Sequence, residues 1–308
     1  MFPELPDAKI DIRNPIAAPS GLNHRRTFGA RSTHRAKSLT APNFPHHRIA
    51  TNPGQRRNSE NVEIVTPPSR KIATGATQGG SLHWLDTVRD DGFAFLPNVF
   101  APSEIQSLTN RLDEEALPRT RAGVRHAMRS PNVARIANTP RMLDISRKIL
   151  GPAAVPFRAT LFEKLRDSNW LVAWHQDTAL PLQERREASG WGPWSVKDGV
   201  NYAHAPAKAL EKVIALRLHL DDSNLDNGPL RVLPATHTKG VFTDNEILSL
   251  AAQTESVDCL MAMGGIVAMR PLVIHASSKA QTDNPRRVLH IEYAESADID
   301  ANVRLAIT

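Results

Sequence analysis

Trp174-His175-Gln176-Asp177-Thr178 is the stretch on which the reading of this chain turns. It has the texture of a β-strand, and side chains alternate faces along a strand, so His175 and Asp177 point the same way. An imidazole and a carboxylate aimed at one point make two corners of a 2-His-1-carboxylate set. That set holds non-haem Fe(II) on one face and leaves positions open on the other. The third corner has to be a histidine remote in sequence. His275 meets the need, because it closes the apolar run 266–269 and 271–274, and Arg286 follows it in a second strand-like segment. The triplet alone is weak evidence, since an isolated strand histidine is more often a hydrogen-bonded structural residue than a ligand.

The surroundings of the triplet strengthen it. Ahead of it lie Leu161-Phe162-Glu163-Lys164 and Asn169-Trp170; behind it come Trp194-Ser195-Val196-Lys197-Asp198-Gly199-Val200 and Leu216-Arg217-Leu218-His219-Leu220-Asp221-Asp222. Asn227-Gly228-Pro229-Leu230-Arg231-Val232-Leu233-Pro234, His237, His275-Ala276-Ser277, Asn284-Pro285-Arg286-Arg287 and Tyr293 complete the series. In this order the motifs resemble the phytanoyl-CoA dioxygenase family, in its bacterial branch of iron- and 2-oxoglutarate-dependent oxygenases, over about residues 81–293. The resemblance implies that His175, Asp177 and His275 are the iron ligands. It implies that Arg286, eleven positions beyond the distal histidine, binds the far carboxylate of 2-oxoglutarate, with Ser277 as a helper. Lys164 falls where the family often keeps a polar residue near that co-substrate, a weaker correspondence.

The residue types suit the implied chemistry. Three protein ligands on one face leave three positions; the 2-oxo acid takes two through its keto oxygen and C1 carboxylate, and O2 takes the last. A charged anchor is then required at the other end of the co-substrate. Arginine offers a planar fork matched to a carboxylate and stays charged at a partly buried site. The expected outcome is hydroxylation of an aliphatic C–H bond of a small molecule, with release of succinate and carbon dioxide.

The basic balance of the chain is local. Of 308 residues with a formal net charge of +6, residues 1–80 hold twelve Lys and Arg against five Asp and Glu, so residues 81–308 are slightly acidic overall. No acidic residue lies between Asp11 and Glu60, while arginines are scattered there among Pro, Ser and Asn. Such a segment cannot bury enough apolar surface to offset its ordering entropy, and residues 1–80 are expected to be a disordered basic extension. Glu4, Asp7 and Asp11 argue against an organellar transit peptide. A nucleic-acid tail is disfavoured because, within the acid-free stretch 12–59, only Phe28 and Phe44 could stack on bases. A single cysteine, Cys259, excludes an internal disulfide framework, and neither a membrane span nor a signal core is visible, so a cytoplasmic protein is expected.

The catalytic domain is expected over 81–308. Leu82, Leu85 and Val88 have helical spacing, 92–97 reads as a short strand ended by Pro97, and Ser103 is placed to cap a helix through about Leu112. Another helix is expected over 141–150, stopped by Gly151-Pro152. From Ala154 onward, short apolar runs punctuated by Gly, Pro, Asn and Asp indicate antiparallel strands. Helices first and strands later suggest a mostly β fold with flanking helices, the double-stranded β-helix or cupin-like jelly roll that the resemblance also implies.

Other features have plainer readings beside functional ones. The acidic segment 221–228 looks calcium-like, but its glycine is one place late and Leu233 stands where a bidentate glutamate belongs, so a tight turn is favoured. Arg217 and His219 share a strand face and either line the cavity or meet solvent. Trp191 and Trp194 lie in a charged, loop-like insertion, 183–212, and either line a substrate lid or pack. Arg121, Arg125 and Arg129, spaced four apart near Arg119, read as a solvated helix face or as a cluster for an anionic substrate group. His204, His237 and His290 compete as candidate metal ligands, and His237 resembles a structural turn of the family. Hydrolase, metalloprotease, P-loop and zinc-ribbon signatures are absent. A halogenase on the same scaffold would need a small residue in place of Asp177. A non-catalytic cupin-like metal-binding protein would have no use for Arg286 and Ser277.

Overall fold

The computed structural model describes residues 83–120, 123–166 and 168–308. The expected disordered extension, Leu82 and Arg121 lie outside the described residues.

The chain opens with helix α1 (His83–Asp90), strand β1 (Phe93–Leu96) and helix α2 (Pro102–Glu114). Ser103 does not cap α2. Pro102 occupies its first turn, where a missing N–H costs nothing, and the Glu104 carboxylate accepts from the Ala101 N–H at 2.8 Å. After the short strand β2 (Gly123–Val124) come α3 (Pro131–Ala137) and α4 (Pro140–Leu150), which ends as expected at Gly151 with φ of 101°. The helical face expected for the arginines is absent: Arg125 follows β2 and Arg129 ends a 3₁₀ turn, Ala127–Arg129.

Strands then dominate: β3 (Val155–Lys164), β4 (Val172–His175), β5 (Ala179–Leu182), β6 (Trp194–Lys197) and β7 (Val200–His204). A single turn of helix, α5 (Ala207–Leu210), leads to β8 (Val213–His219) and β9 (Leu230–Val232). Helix α6 (Asp244–Gln253) precedes β10 (Val257–Cys259), β11 (Ile266–Met269), β12 (His275–Ser277) and β13 (Arg286–Ala294), and a hairpin of β14 (Asp298–Asp300) and β15 (Val303–Arg304) follows. The segment 183–212 is therefore not simply a loop. It contains the β6–β7 hairpin, which pairs with β5 in a small sheet of its own.

Two sheets face each other. The larger has six strands in the order β1-β11-β8-β13-β3-β2, and the smaller has four in the order β10-β9-β12-β4, all antiparallel. Alternation along β8 decides what each face does. Leu216 and Leu218, with Leu220 just beyond, turn outward onto α2, α3 and α4, joined by Leu289 and Ile291 of β13. Each such side chain contributes about 1.5–3 kcal/mol through burial. Tyr293 fastens the helical layer by donating its hydroxyl to the Ala137 carbonyl at 2.7 Å. Arg217 and His219 turn the other way and are buried between the sheets, so the solvated reading of this pair does not hold. One end of the interior is closed by an apolar cluster of Phe93, Val232, Val257, Val267 and Met269, drawn from both sheets. The acidic segment 221–228 is a crossing from the larger sheet to the smaller rather than a tight turn. Asn227 braces it by donating to the Asp222 carbonyl at 2.7 Å and accepting from the Asn224 N–H.

Candidate active site

The smaller sheet brings the three expected ligand residues together. β12 pairs with β4 so that His275 lies opposite His175, and the two rings approach to 4.2 Å between centroids. β4 ends at His175. Asp177 lies just past it, its N–H donating to the Pro271 carbonyl at 2.9 Å, so the extended path and the alternation carry on beyond the strand. Gln176 accordingly points away, donating to the Gly240 and Leu272 carbonyls and accepting from the Phe242 N–H. Trp174 also lies away from His175, packed with Leu233 and Ile247.

His175, Asp177 and His275 offer one ligand atom each within 4.8 Å of one another. Nε2 of His175 is 3.6 Å from one Asp177 oxygen, and Nε2 of His275 is 3.5 Å from the other. In both histidines Nδ1 lies 2.8 Å from the carbonyl two residues earlier, that of Ala173 or Val273. A carbonyl only accepts, so Nδ1 carries the proton and the Nε2 lone pair is left facing Asp177. Burial opposes charge on Asp177, but the imidazoles of His275 and His175 outweigh it and hold the carboxyl well below its ordinary range. Burial lowers His275 to about 4 despite Asp177. Two lone pairs and a carboxylate converging on one point, with no lysine or arginine ion pair to Asp177 among the described residues, suit a divalent cation.

A second cluster lies between the sheets beyond His275. Lys164 ends β3 and reaches across to the smaller sheet, donating to Ser277 Oγ at 2.6 Å and to the Ser278 carbonyl. Ser277 Oγ donates in turn to the Gly228 carbonyl at 3.0 Å. Arg286, opposite Lys164 on β13, directs Nε to the Asn227 carbonyl at 3.3 Å and Nη2 toward Ser277 Oγ at 3.5 Å. Both cations are almost fully buried, and among the described residues neither makes an ion pair. Burial, with Arg286 beside it, brings Lys164 down to about 7; burial, with Arg217 nearby, brings Arg286 down to about 9. Gly228 makes the approach feasible: its φ is +67°, and a Cβ there would run into the Ser278 carbonyl and Lys164 Nζ. Unneutralised buried cations with spare donors suit a bound carboxylate. The neighbouring Arg287 faces the other way and forms a two-pronged pair with Asp221 at 2.8 and 2.9 Å, plus a contact to Asp113.

A cavity of about 290 Å³ opens beside Asp177 on the larger sheet. Arg158, Thr160 and Phe162 of β3 and His290 and Glu292 of β13 form one side, and Lys197 and Tyr202 of the β6–β7 hairpin form another. Arg158 and Glu292 are locked in a buried two-pronged ion pair, and His290 Nδ1 lies 2.7 Å from Arg217 Nη1. Arg217 can only donate, so His290 accepts there and is neutral, consistent with burial holding its pKa well below the ordinary value. Of these cavity residues Arg158, Thr160, Tyr202 and Glu292 were not singled out in the sequence; His290 was, as a competing metal ligand, and Glu292 stands at strand spacing two residues after it, 3.8 Å away. A signal existed: Arg158 and Thr160 on β3, and His290 and Glu292 on β13, are charged or polar at even spacing, alternating with Phe157, Ala159, Leu161, Leu289 and Ile291.

The remaining expectations sort simply. Trp191 packs in an apolar cluster and donates to Asp300 at 3.1 Å, and Trp194 packs against the same cluster. His204 Nδ1 lies 2.7 Å from Thr178 Oγ1, and His237 Nε2 lies 3.1 Å from the Arg89 carbonyl; neither joins the three-residue cluster. Cys259 is buried and unpaired, and burial pushes its thiol up to about 12.

Residues 88–288 match the phytanoyl-CoA dioxygenase (PhyH) family, well over half of the chain. The chain belongs to that family. It is thus an enzyme of the iron- and 2-oxoglutarate-dependent oxygenases. An L-proline trans-4-hydroxylase of Streptomyces griseoviridis is 24% identical over 241 residues, covering 66% of this chain and 82% of the relative. The fold is shared with AviO1 from Streptomyces viridochromogenes Tue57, at a TM-score of 0.52 and 19% identity over 74% of this chain and 98% of that one. It is shared also with EctD from S. alaskensis, solved with 2-oxoglutarate and 5-hydroxyectoine, at 0.54 and 17% over 71% and 77%. No helix among the described residues is long and apolar enough to cross a membrane.

Proposed function

We propose that this family member hydroxylates an aliphatic C–H bond of a small molecule, with His175, Asp177 and His275 holding Fe(II) and with Lys164, Ser277 and Arg286 holding the distal carboxylate of 2-oxoglutarate. The observation that carries the reading is the pairing of two buried clusters of opposite preference. One offers three ligand atoms to a cation, and the other offers to an anion two cations without an ion-pair partner among the described residues, held about Ser277. The relative that hydroxylates L-proline by name supports the reaction class without fixing the substrate.

Iron with 2-oxoglutarate and O2 supplies oxidative decarboxylation to succinate and carbon dioxide, coupled to oxygen insertion into a C–H bond. The chain's own residues bind and orient. Ala173 and Val273 fix the two imidazoles in the tautomer that presents Nε2, and the Asp177 carboxylate offsets part of the metal's charge. Arg286 and Lys164 anchor the far end of the co-substrate, while Ser277 Oγ sits between them to set its direction. The cavity beside Asp177 presents the substrate to the same point. Asp177 also supplies the bulk and charge that a halide-accepting site would lack, which favours hydroxylation over halogenation.

Anaerobic addition of Fe(II) and 2-oxoglutarate should give the weak visible charge-transfer band of the chelate, followed by succinate on admission of air. A protein that forms no such band, and makes no succinate above background with any substrate, would overturn the catalytic reading in favour of a non-catalytic binding protein.

A further inference from the structure

The cavity beside Asp177 is not electrically neutral once its internal pairs are counted. Arg158 and Glu292 cancel each other in a buried two-pronged pair, and Arg158 Nη1 is further used by the Ala179 carbonyl at 2.7 Å. The charge of Asp177 is committed to the metal in the reading above. Lys197 is left. It is half-buried at the end of β6, its Nζ 4.7 Å from the Tyr202 ring centroid, and it makes no ion pair among the described residues. Arg125 at the rim has one carboxylate partner, Asp198, at 3.5 Å; both are largely exposed, where such pairs are worth little. Tyr202 is held in place by His126, whose Nε2 lies 3.0 Å from the phenol oxygen.

We infer that the β6–β7 hairpin supplies an oxyanion subsite, with Lys197 as its centre and Arg125 and the Tyr202 ring beside it, and that the substrate is a small carboxylic acid bound by that group while its carbon chain extends toward Asp177. This rests on the functional reading above and adds the substrate class. The cavity volume of about 290 Å³ lies at the lower end of small-molecule pockets, which run from about 300 to 1,000 Å³, and suits a small acid. One whole cation and one loosely paired cation match a monoanion better than a dianion. Burial and the nearby Arg125 and Arg158 lower the pKa of Lys197, a strain that a bound anion relieves.

The test uses α-amino acids and short monocarboxylic acids, each matched with its primary amide, added under anaerobic conditions to the full-length protein with Fe(II) and 2-oxoglutarate present, so that Asp177 and the Lys164–Arg286 cluster are occupied, while thermal unfolding is followed. At least one acid should raise the melting temperature by several degrees where its amide does not. Lys197→Met should weaken the best acid at least about tenfold, the loss expected for a hydrogen bond to a charged group, and Lys197→Arg should recover part of it. Arg125→Gln should give a smaller loss, and serves as the second reading if Lys197→Met folds poorly. Amides binding as well as their acids, no acid binding at all, or full acid affinity in the folded Lys197→Met protein would each overturn the subsite. The Fe(II)–2-oxoglutarate band is measured in parallel. Its absence counts against the catalytic reading, whereas the melting series judges the subsite on its own.

Discussion

The two buried clusters differ in how their charges close. At His175, Asp177 and His275 a carboxylate sits 3.5–3.6 Å from two imidazole nitrogens, and all three present electron pairs to one point. At Lys164 and Arg286 two cations share a serine hydroxyl and backbone carbonyls, with no carboxylate paired to either among the described residues. The first cluster has the donor set of a cation site and the second that of an anion site, so the proposed function assigns them opposite ligands.

The sharpest break in this comparison is at Asp177. Asp177→Ala should abolish iron retention and succinate formation, because two neutral imidazoles remain to face a dication. Asp177→Asn, which keeps the shape and loses the charge, should show an intermediate defect. Metal analysis and a succinate assay check both. Unimpaired turnover in Asp177→Ala would remove this residue from the metal site.

At the other cluster, Arg286→Ala should weaken 2-oxoglutarate by about 3 kcal/mol, on the order of a hundredfold in Kd, while iron binding persists. Anaerobic calorimetric titration reads it. An effect on iron equal to that on 2-oxoglutarate would show that the clusters are not separable in the way their charges suggest.

Lys164 gives a pH signature. Its pKa is lowered from 10.5 to about 7 in the folded, ligand-free protein, so between those values the unfolded chain binds more protons at this group. Stability from this group therefore rises with pH across that window, and below about pH 7 the buried ammonium costs stability. A bound carboxylate raises the pKa again. Binding of 2-oxoglutarate at pH 8 should then take up close to one proton, measurable by calorimetry in buffers of different ionisation enthalpy. No uptake would place the carboxylate away from Lys164.

The smallest expected effect on ligand binding is at Arg287, next to Arg286 but on the opposite face. Arg287→Ala breaks the pair with Asp221 and should lower stability by about 1–3 kcal/mol while leaving 2-oxoglutarate affinity within about twofold. Chemical denaturation and titration of the same variant separate the two outcomes. A larger loss of affinity here than at Arg286 would mean that the strand register has been read one residue out.

Local periodicity made a good part of this molecule legible. The common face of His175 and Asp177, the opposite faces of Arg286 and Arg287, the outward Leu216 and Leu218, and the stop of α4 at Gly151 all follow from alternation or from glycine conformation within a few residues. Sequence spacing was insufficient where a side chain's role depends on its neighbours across the fold. The spaced arginines 125 and 129 do not share a helix, because their segment is taken up by β2 pairing with β3 and by a 3₁₀ turn.

By itself, then, the sequence determined which residue types are available and which face each takes along its own strand, since those depend on backbone geometry. The tertiary structure decided which faces meet. It set His275 opposite His175, carried Lys164 across to Ser277, and folded the β6–β7 hairpin so that Lys197 and Tyr202 overhang the cavity beside Asp177. Those approaches depend on strand order and on the spacing of two packed sheets, and so on contacts between residues up to more than a hundred positions apart.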